Sequence, residues 1–242
     1  MITTNRLGFI ALSIVSIAAL GFAIETKREA INLKATAESQ LKTIRDQEDA
    51  DLRLGQYTIN MIYKAGAGKK ISDGRKQVLA RAIVRVNNEI LDTLEQRHAW
   101  IGAIAIESAF QKFAQSPTGP KGLGQMARAS FHEGIAKCGI NKVEDDDVFE
   151  TDLNLYSSAC YFRAMLEASD GDPIAAMVSY NQGLASEDSK NYLKSGNLDG
   201  KEALKYIARA TFLKRNVTDK KMPGVPLIQD IKGITVDAKK SK

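Results

Sequence analysis

The chain has 242 residues, enough for one domain of about 150 residues and additional segments. Its 44% hydrophobic and 26% charged residues are typical of a globular protein rather than of a low-complexity or collagen-like chain. Two cysteines exclude a disulfide-rich scaffold, and two histidines argue against a histidine-rich metal site. We therefore predict neither a metal ion nor a cofactor.

The net charge of +5 comes from the C-terminal end. Residues 214–242 contain eight Lys or Arg and three Asp, whereas residues 1–213 contain 26 basic and 26 acidic residues. We interpret residues 216–242 as a basic, flexible tail that is solvated. Binding of the tail to nucleic acid, anionic lipid or an acidic partner is the alternative, and we do not expect nucleic acid to be a partner.

Residues 7–24 form an eighteen-residue run without a charge, long enough to span a bilayer as a helix. We predict that residues 1–25 are a transmembrane anchor that contacts the membrane through residues 7–24. A cleaved signal peptide and a buried core helix are the alternatives. Either membrane interpretation places the rest of the chain outside the cytoplasm, or in a virion that must cross an envelope.

Residues 26–70 are predicted to form an amphipathic helical stalk and a linker. Leu33, Ala37, Leu41 and Ile44 recur at helical spacing, so they form a narrow apolar stripe that could pair with another chain or pack on the next domain. The glycine-rich stretch at 65–70 breaks the helix and lacks the spacing of a phosphate-binding loop, which indicates a linker.

Residues 71–215 show helical periodicity throughout and no sustained alternation of apolar and polar residues. Leu79, Ile83, Val86 and Ile90 define one helix face. We also predict helices near 152–168, 172–180 and 201–213. The fold class is therefore all-α.

Glu107 follows an almost wholly apolar run, AWIGAIAIESAF, that spans residues 99–110. Apolar surroundings penalise the charged form of a carboxyl group and raise its pKa. A general acid that works near neutral pH needs such a raised pKa. The alternative is that Glu107 ends a buried helix and points into water. For Trp100, on the same helix, packing in the core is favoured over stacking on a ligand.

Three further motifs follow Glu107 in order. Residues 116–126 form a loop with three glycines in six residues, and Ser116 and Gln125 supply a hydroxyl and an amide. Tyr180 to Gly183 end an apolar helix as Tyr-Asn-Gln-Gly. Glu202 and Tyr206 then lie one helical turn apart, so Tyr206 can face inward.

Together these motifs resemble the lysozyme-like domain of the soluble-lytic-transglycosylase family. The family pattern is Glu-Ser, Ser-x-x-Gly-x-x-Gly-Leu-x-Gln, Ala-x-x-Tyr-Asn-x-Gly and Glu-x-x-x-Tyr, and the resemblance covers roughly residues 78–213. The Asp152-x-Asn154 pair and Tyr161 also resemble the family helix between the loop and the Tyr-Asn motif. Pro120, Gly124 and the Leu-Ala pair after Gly183 depart from the pattern, which affects subsite details rather than the acid.

The resemblance implies a lysozyme-like fold and cleavage of the β-1,4 bond between N-acetylmuramic acid and N-acetylglucosamine in peptidoglycan. It implies that Glu107 is the catalytic acid and base, that the product has a 1,6-anhydro end, and that no second catalytic carboxylate is needed. The residues implied to bind or position the substrate are Ser108, Ser116, Gly122, Gln125, Met126, Tyr180, Asn181 and Tyr206. Ser108 is also suited to bracing the turn after Glu107.

Several functions remain open at this point. The preferred one is an anchored lytic transglycosylase that opens the cell wall locally for a secretion or conjugation apparatus, or for phage DNA entry. Its implied partners are peptidoglycan strands, a membrane and subunits of such an assembly, in the periplasm or in a virion. The alternatives are a hydrolytic goose-type lysozyme, a non-catalytic structural or assembly protein, and a DNA-binding tail.

Three smaller features leave their own alternatives open. Cys138 and Cys160 lie 22 residues apart, and a disulfide between them is feasible outside the cytoplasm. His132 is interpreted as a surface residue rather than a catalytic one. The acidic run at 144–147 is interpreted as a solvated loop, because it lacks the spacing of a calcium-binding EF-hand.

Overall fold

The computed structural model describes residues 4–65, 71–198, 200–220 and 222–225, and for residues 4–24 and 26 it describes the backbone alone. Within these ranges the chain is helical, with two isolated β-bridges that join Gln115 to Lys121 and Lys121 to Met126. The prediction of an all-α fold is thereby confirmed. The helices are α1 (Thr4–Lys64), α2 (Asp73–Ile90), α3 (Leu94–Ser108), α4 (Arg128–Lys137), a 3₁₀ helix (Asp145–Phe149), α5 (Thr151–Glu167), α6 (Pro173–Gln182), α7 (Glu187–Ser195) and α8 (Lys201–Arg215).

The chain divides into two compact units, Met1–Ala50 and Asp51–Lys242. In the first unit, α1 is continuous, and every side chain from residue 27 to residue 50 is exposed. Within the part of the chain that the structure describes, no helix is long and apolar enough to cross a membrane. The predicted anchor at 7–24 falls on side chains outside that part, so it stays a prediction.

The second unit begins inside α1, because the last turns of that helix belong to the core. Leu54, Ile59, Met61 and Ile62 are at most 1% exposed. We predicted a stalk and a linker over residues 26–70, and the end of that predicted stalk, residues 54–62, is buried in the core. The linker predicted at 65–70 lies outside the described residues apart from Ala65.

The packed part also extends beyond residue 215, where we expected a flexible tail to begin. Val217 and Val225 are each 4% exposed and belong to the main core cluster. The Asn60 side chain in α1 donates hydrogen bonds to the carbonyls of Thr218 (2.7 Å) and Lys220 (2.6 Å). These bonds attach the segment after α8 to α1, so burial here depends on contacts between distant parts of the chain.

Helix α3 lies at the centre of the core and carries the predicted catalytic residue. Thr93 and Gln96 form a capping box at its N-terminus, which satisfies backbone donors that would otherwise lack partners. Trp100, Ile101 and Ile104 are fully buried, which confirms the core role of Trp100. Helix α3 packs against α6 and α8, the two helices that carry the later motifs.

Cys138 and Cys160 form a disulfide with Cα atoms 5.7 Å apart. It joins the C-terminal end of α4 to α5, and these two helices pack extensively on each other. Gly134 of α4 lets the helices approach, because a Cβ atom there would lie within 2.8 Å of the Ser157 carbonyl carbon. The disulfide therefore closes a short loop on an interface that is already packed.

Replacing Cys138 and Cys160 together with serine is expected to lower the free energy of unfolding by about 3 kcal/mol, the usual entropic effect of a loop of this length. Chemical denaturation of the wild type and the double variant measures the difference. Adding a reductant should lower the wild-type value toward that of the variant and leave the variant unchanged. Equal stability of the two proteins in oxidising buffer would contradict the expectation.

His98 of α3 stacks on Tyr57 of α1, with ring centroids 4.0 Å apart. The pKa of His98 is lowered from 6.5 to about 4, mainly by burial; the Lys214 charge contributes to the shift, and Asp219 opposes it. The imidazole is therefore neutral at neutral pH in the folded protein. His98 therefore binds a proton more readily in the unfolded chain than in the folded protein.

We expect the folded state to lose stability as the pH falls from about 6.5 toward about 4, because the unfolded state binds a proton at His98 before the folded state does. Replacing His98 with phenylalanine keeps an aromatic stack and should flatten this part of the stability curve. Denaturation midpoints at several pH values measure the effect. His132→Phe is the control, because that ring is partly exposed and pairs with Asp145. A curve equally steep in the His98 variant would refute the role of this histidine.

Candidate active site

Glu107 lies in the last turn of α3, just before a sharp change in backbone direction. Ala109 (φ 49°) and Phe110 (φ 62°) adopt the left-handed conformation in succession, which is costly for residues other than glycine. Phe110 is 1% exposed, and its burial opposes that cost. Ser108 is buried and donates to the Ile104 carbonyl (3.3 Å), so it braces the helix end. Such local strain is typical of functional sites.

The pKa of Glu107 is raised, and burial of the carboxyl group is the main cause. The Tyr206 hydroxyl, the Asn181 side chain and the Arg209 charge act in the opposite direction, because each favours the carboxylate. The raised pKa agrees with the apolar sequence around Glu107. A raised pKa keeps the carboxyl group protonated to a higher pH than usual, as a general acid requires.

Tyr206 of α8 is 5% exposed and faces this carboxyl group. Its hydroxyl lies near the Glu107 carboxyl group, but it forms no hydrogen bond of ordinary length and angle to any described residue. Burial and the charge of Glu107 both raise the pKa of Tyr206, so its hydroxyl remains protonated and can donate to the carboxylate. Helices α3 and α8 thus bring together two residues that lie 99 positions apart in the sequence.

Tyr180 of α6 connects the glutamate to the glycine-containing loop. Burial raises its pKa, and the charge of Glu107 adds to this effect. Its hydroxyl donates to the Gly124 carbonyl (2.7 Å) and lies 3.2 Å from the Met126 sulfur. The Tyr180 ring also makes an edge contact with Tyr161. Tyr180 therefore orients the loop beside the Glu107 carboxyl group.

The loop at 114–126 is shaped by bonds from within the protein. Asn154 of α5 accepts a hydrogen bond from the Gly124 amide (2.7 Å) and donates to the Val148 carbonyl (2.7 Å). The side-chain amide of Gln125 donates to the backbone carbonyls of Ala114 (3.1 Å) and Gly122 (3.0 Å). These side chains hold the loop closed, so the Nε2 atom of Gln125 is already bonded within the loop.

The structure therefore separates the predicted site residues into groups. Glu107, Asn181 and Tyr206 meet at one carboxyl group, and Tyr180 and Met126 meet at the loop. Ser108, Gly122 and Gln125 support the protein itself, while Ser116 is partly exposed and bonds the Thr118 hydroxyl (2.8 Å). Contact with a substrate stays a prediction for each of these residues.

Sequence reasoning assigned no role to Arg209 or Asn154. Arg209 lies three residues after Tyr206 in α8, and that helical spacing could have indicated that it lies near Glu107. Asn154 was noticed as part of a motif, but its two bonds to the loop and its bond to Val148 of the 3₁₀ helix depend on tertiary contacts. Its neighbour Asp152 pairs with Arg85 of α2 (2.7 Å) and stabilises the packing of α5.

A groove of about 440 Å³ lies on another face of the α3–α8 contact. Ala105 and Ala109 line it from α3, Arg209 and Phe212 from α8, and Lys64 from α1. Glu107 is not among its lining residues, and helical geometry places Glu107 on the opposite side of α3 from Ala105 and Ala109. Arg209 is thus shared between the groove and the surroundings of Glu107.

The acidic run is engaged by neighbouring protein groups. Asp145 binds His132 (2.8 Å) and Arg128 (2.9 Å), and these contacts lower its pKa. Asp147 accepts a hydrogen bond from the Glu144 amide in the cap of the 3₁₀ helix. In the described ranges, no three His, Cys, Asp or Glu residues are grouped so as to hold a metal ion.

A protein-family model described as the Transglycosylase SLT domain matches residues 92–203. This region contains Glu107, the loop and the Tyr-Asn motif, and it ends just before Tyr206. No curated protein matches the chain.

Among solved structures, the chain is similar to an inactive mutant of lytic transglycosylase Slt from Pseudomonas aeruginosa. The two sequences are 19% identical, the TM-score is 0.48, and the match covers 62% of this chain. The matched part spans 25% of the Pseudomonas chain.

Proposed function

Because residues 92–203 match the family model of the Transglycosylase SLT domain, we propose that the protein is a lytic transglycosylase that acts on peptidoglycan. The observation that carries this proposal is the partly buried Glu107 carboxyl group with a raised pKa, which faces Tyr206 and Asn181. This is the environment that a general acid requires. Its position at the end of α3, beside the ordered loop, supports a role in catalysis rather than in folding.

The reaction needs one carboxyl group in two successive roles. Protonated Glu107 donates its proton to the glycosidic oxygen that leaves C1 of the muramic acid residue, and the C1–O bond breaks. The resulting carboxylate then accepts the proton of the muramic 6-hydroxyl as that oxygen bonds to C1. The products are a 1,6-anhydro end and a free 4-hydroxyl on the leaving sugar, and no water is consumed.

The surroundings of Glu107 are consistent with a single-carboxylate mechanism. The described groups that act on its pKa are a tyrosine, an asparagine and an arginine, and none of them is a second carboxylate. Most glycosidases place two carboxyl groups across the scissile bond, about 5 Å or more apart. Assistance by the substrate N-acetyl group, or by its 6-hydroxyl, removes the need for the second one.

Incubation of the full chain with purified peptidoglycan, followed by mass spectrometry of the products, tests the proposal. We expect muropeptides with 1,6-anhydro ends. Hydrated reducing ends would replace the proposal with a hydrolytic lysozyme. Intact peptidoglycan would leave a binding or assembly role. The three outcomes are distinguishable because hydration adds the mass of one water molecule.

Replacing Tyr206 with phenylalanine is expected to shift the alkaline limb of the rate–pH profile to higher pH. The hydroxyl favours the carboxylate form of Glu107, so its removal raises the pKa of Glu107 and preserves the acid to a higher pH. Tyr192→Phe is the matched control, because the Tyr192 hydroxyl contacts Asp172 instead. An unshifted limb in the Tyr206 variant would contradict the proposed contact.

We further propose that residues 7–24 anchor the chain in a membrane, with the enzyme on the periplasmic side or in a virion. The charge-free run of eighteen residues supports this location. Local opening of the wall for a secretion or conjugation apparatus, or for phage DNA, would suit an anchored enzyme. Alkaline extraction of membranes tests the anchor. The full chain should remain in the membrane fraction, whereas a chain that lacks residues 2–24 should be released.

A further inference from the structure

The segment of α1 from residue 27 to residue 50 carries an apolar stripe that the rest of its unit leaves uncovered. Every side chain in the segment is exposed. Leu33 is 73% exposed, Leu41 53% and Ile44 54%. A helix with large exposed side chains along one line usually has a partner for that line.

The spacing of the stripe suits a partner helix. Its positions follow one another at intervals of three, four, four and three residues, which corresponds to an eleven-residue repeat. Such a repeat averages about 3.67 residues per turn, so the stripe stays on one side of a nearly straight helix. The two alanines alternate with larger side chains and allow close approach. The stripe consists of Ala30, Leu33, Ala37, Leu41 and Ile44.

The charges beside the stripe favour a second copy of the same helix in parallel orientation. At about 100° per residue, one flank is mainly basic and the other is acidic toward its N-terminal end. In a parallel pair the basic flank of each helix faces the acidic flank of the other, whereas in an antiparallel pair like flanks meet. The basic flank has Lys27, Lys34 and Arg45 with one acid, Glu38, and the other flank has Glu29.

One contact illustrates the register. In a parallel pair, Glu29 of one helix lies opposite Lys34 of the other, five residues further along. Lys34 also lies 4.0 Å from Glu38 of its own helix, and both side chains are largely exposed. Because exposed pairs within one helix are weak, Lys34 can bind a partner carboxylate at little cost.

We infer that residues 27–50 associate in parallel with the same segment of a second copy of this chain. The apolar stripe provides the contact, and the unlike flanks set the direction. Two chains anchored through residues 7–24 in the same membrane would have the same relative orientation. The inference does not depend on the proposed enzymatic activity, since its evidence lies in the first unit.

Site-directed disulfide cross-linking of the full chain in detergent tests the pairing. Ala37→Cys places a thiol on the stripe, where it meets the same residue of a parallel partner. Ala35→Cys is the matched control, because it is also an exposed alanine of α1 but lies about 200° around the helix from Ala37. The two native cysteines are bonded to each other and leave no competing thiol.

We expect oxidation to convert most of the Ala37→Cys protein into a covalent dimer and little of the Ala35→Cys protein. Sedimentation should give a dimer mass for the wild type and a monomer mass for a Leu33→Glu, Leu41→Glu variant of equal helix content. Equal cross-linking of both cysteine variants, or of neither, would overturn the inference. A wild-type monomer at the cross-linking concentration would also overturn it.

Discussion

Replacing Glu107 with glutamine is expected to reduce the rate of peptidoglycan cleavage by about 10³-fold. Glutamine keeps the shape of the side chain but has no proton to donate to the glycosidic oxygen, and general acid–base catalysis typically contributes about 10²–10⁴-fold. Because the mechanism uses this carboxyl group as both acid and base, the loss affects both bond-breaking and ring closure. Release of soluble muropeptides, quantified by mass spectrometry, measures the effect.

The matched control is Glu95→Gln, an exposed glutamate in the first turn of the same helix. It should retain nearly full activity. Binding of peptidoglycan by the Glu107 variant, measured by co-sedimentation, should remain close to that of the wild type. If the Glu107 variant cleaved peptidoglycan at the wild-type rate, Glu107 would not be the acid and the proposed mechanism would fail.

The same substitution predicts a change in stability that does not depend on the substrate. Burial raises the pKa of Glu107 in the folded state, so the folded state binds this proton more tightly than the unfolded state does. The resulting stabilisation is complete below the ordinary pKa of glutamate. That stability is lost as the pH rises through the raised pKa. Glutamine removes this titration, so the variant should be at least as stable as the wild type at neutral pH. Thermal denaturation at acidic and neutral pH would show a smaller decline for the variant.

Replacing Gly122 with alanine is expected to destabilise the protein by about 3 kcal/mol and to lower its activity. Gly122 has φ +78°, a conformation that costs other residues roughly 1–2 kcal/mol. A Cβ atom there would also lie 2.6 Å from the Val148 carbonyl oxygen and 2.9 Å from Asn154 Cγ. Relief of this overlap would displace Asn154 and the loop that it holds, at a further cost of about 1–3 kcal/mol.

Gly139→Ala provides the matched control for the backbone strain. Gly139 has a similar φ of +71°, and a Cβ atom there would meet nothing within 4 Å. This variant should lose only about 1 kcal/mol and keep its activity. Chemical denaturation and the cleavage assay are applied to both variants. The loss in Gly139→Ala measures the backbone strain alone, and the additional loss in Gly122→Ala measures the steric overlap. Equal losses in the two proteins would show that the contact with Asn154 is unimportant.

The helices with strong periodicity were predicted from the sequence, and those without it were not. Leu79, Ile83 and Val86 of α2 are buried as their spacing predicted. The short helix α7 contains mostly polar residues, so its periodicity gave no signal, and α4 is short with a glycine near its centre. Both depend on neighbouring helices for their burial, and a single sequence does not reveal these neighbours.

The limits of the packed domain also depended on tertiary contacts. The end of α1 is rich in apolar residues, but a helix that continues a solvated stalk and one that enters a core have similar patterns. Val217 and Val225 are isolated apolar residues that are buried in the core, and Asn60 of α1 bonds the segment between them at Thr218 and Lys220. The disulfide was left open for the same reason, since spacing alone does not bring two Cα atoms to 5.7 Å.

The sequence by itself determined the all-α class and the identity of the catalytic candidate, because both depend on which residues follow one another over short stretches of the chain. An apolar run that ends in Glu107 predicts a carboxyl group with a raised pKa, and four ordered motifs carry the resemblance to a domain family. Only the tertiary structure decided what surrounds that carboxyl group. Asn181, Tyr206 and Arg209 reach Glu107 through the packing of α3 with α6 and α8, and Asn154 reaches the loop from α5. Hydrogen bonding and burial act over a few ångströms in space, whereas these residues are separated by tens of positions along the chain.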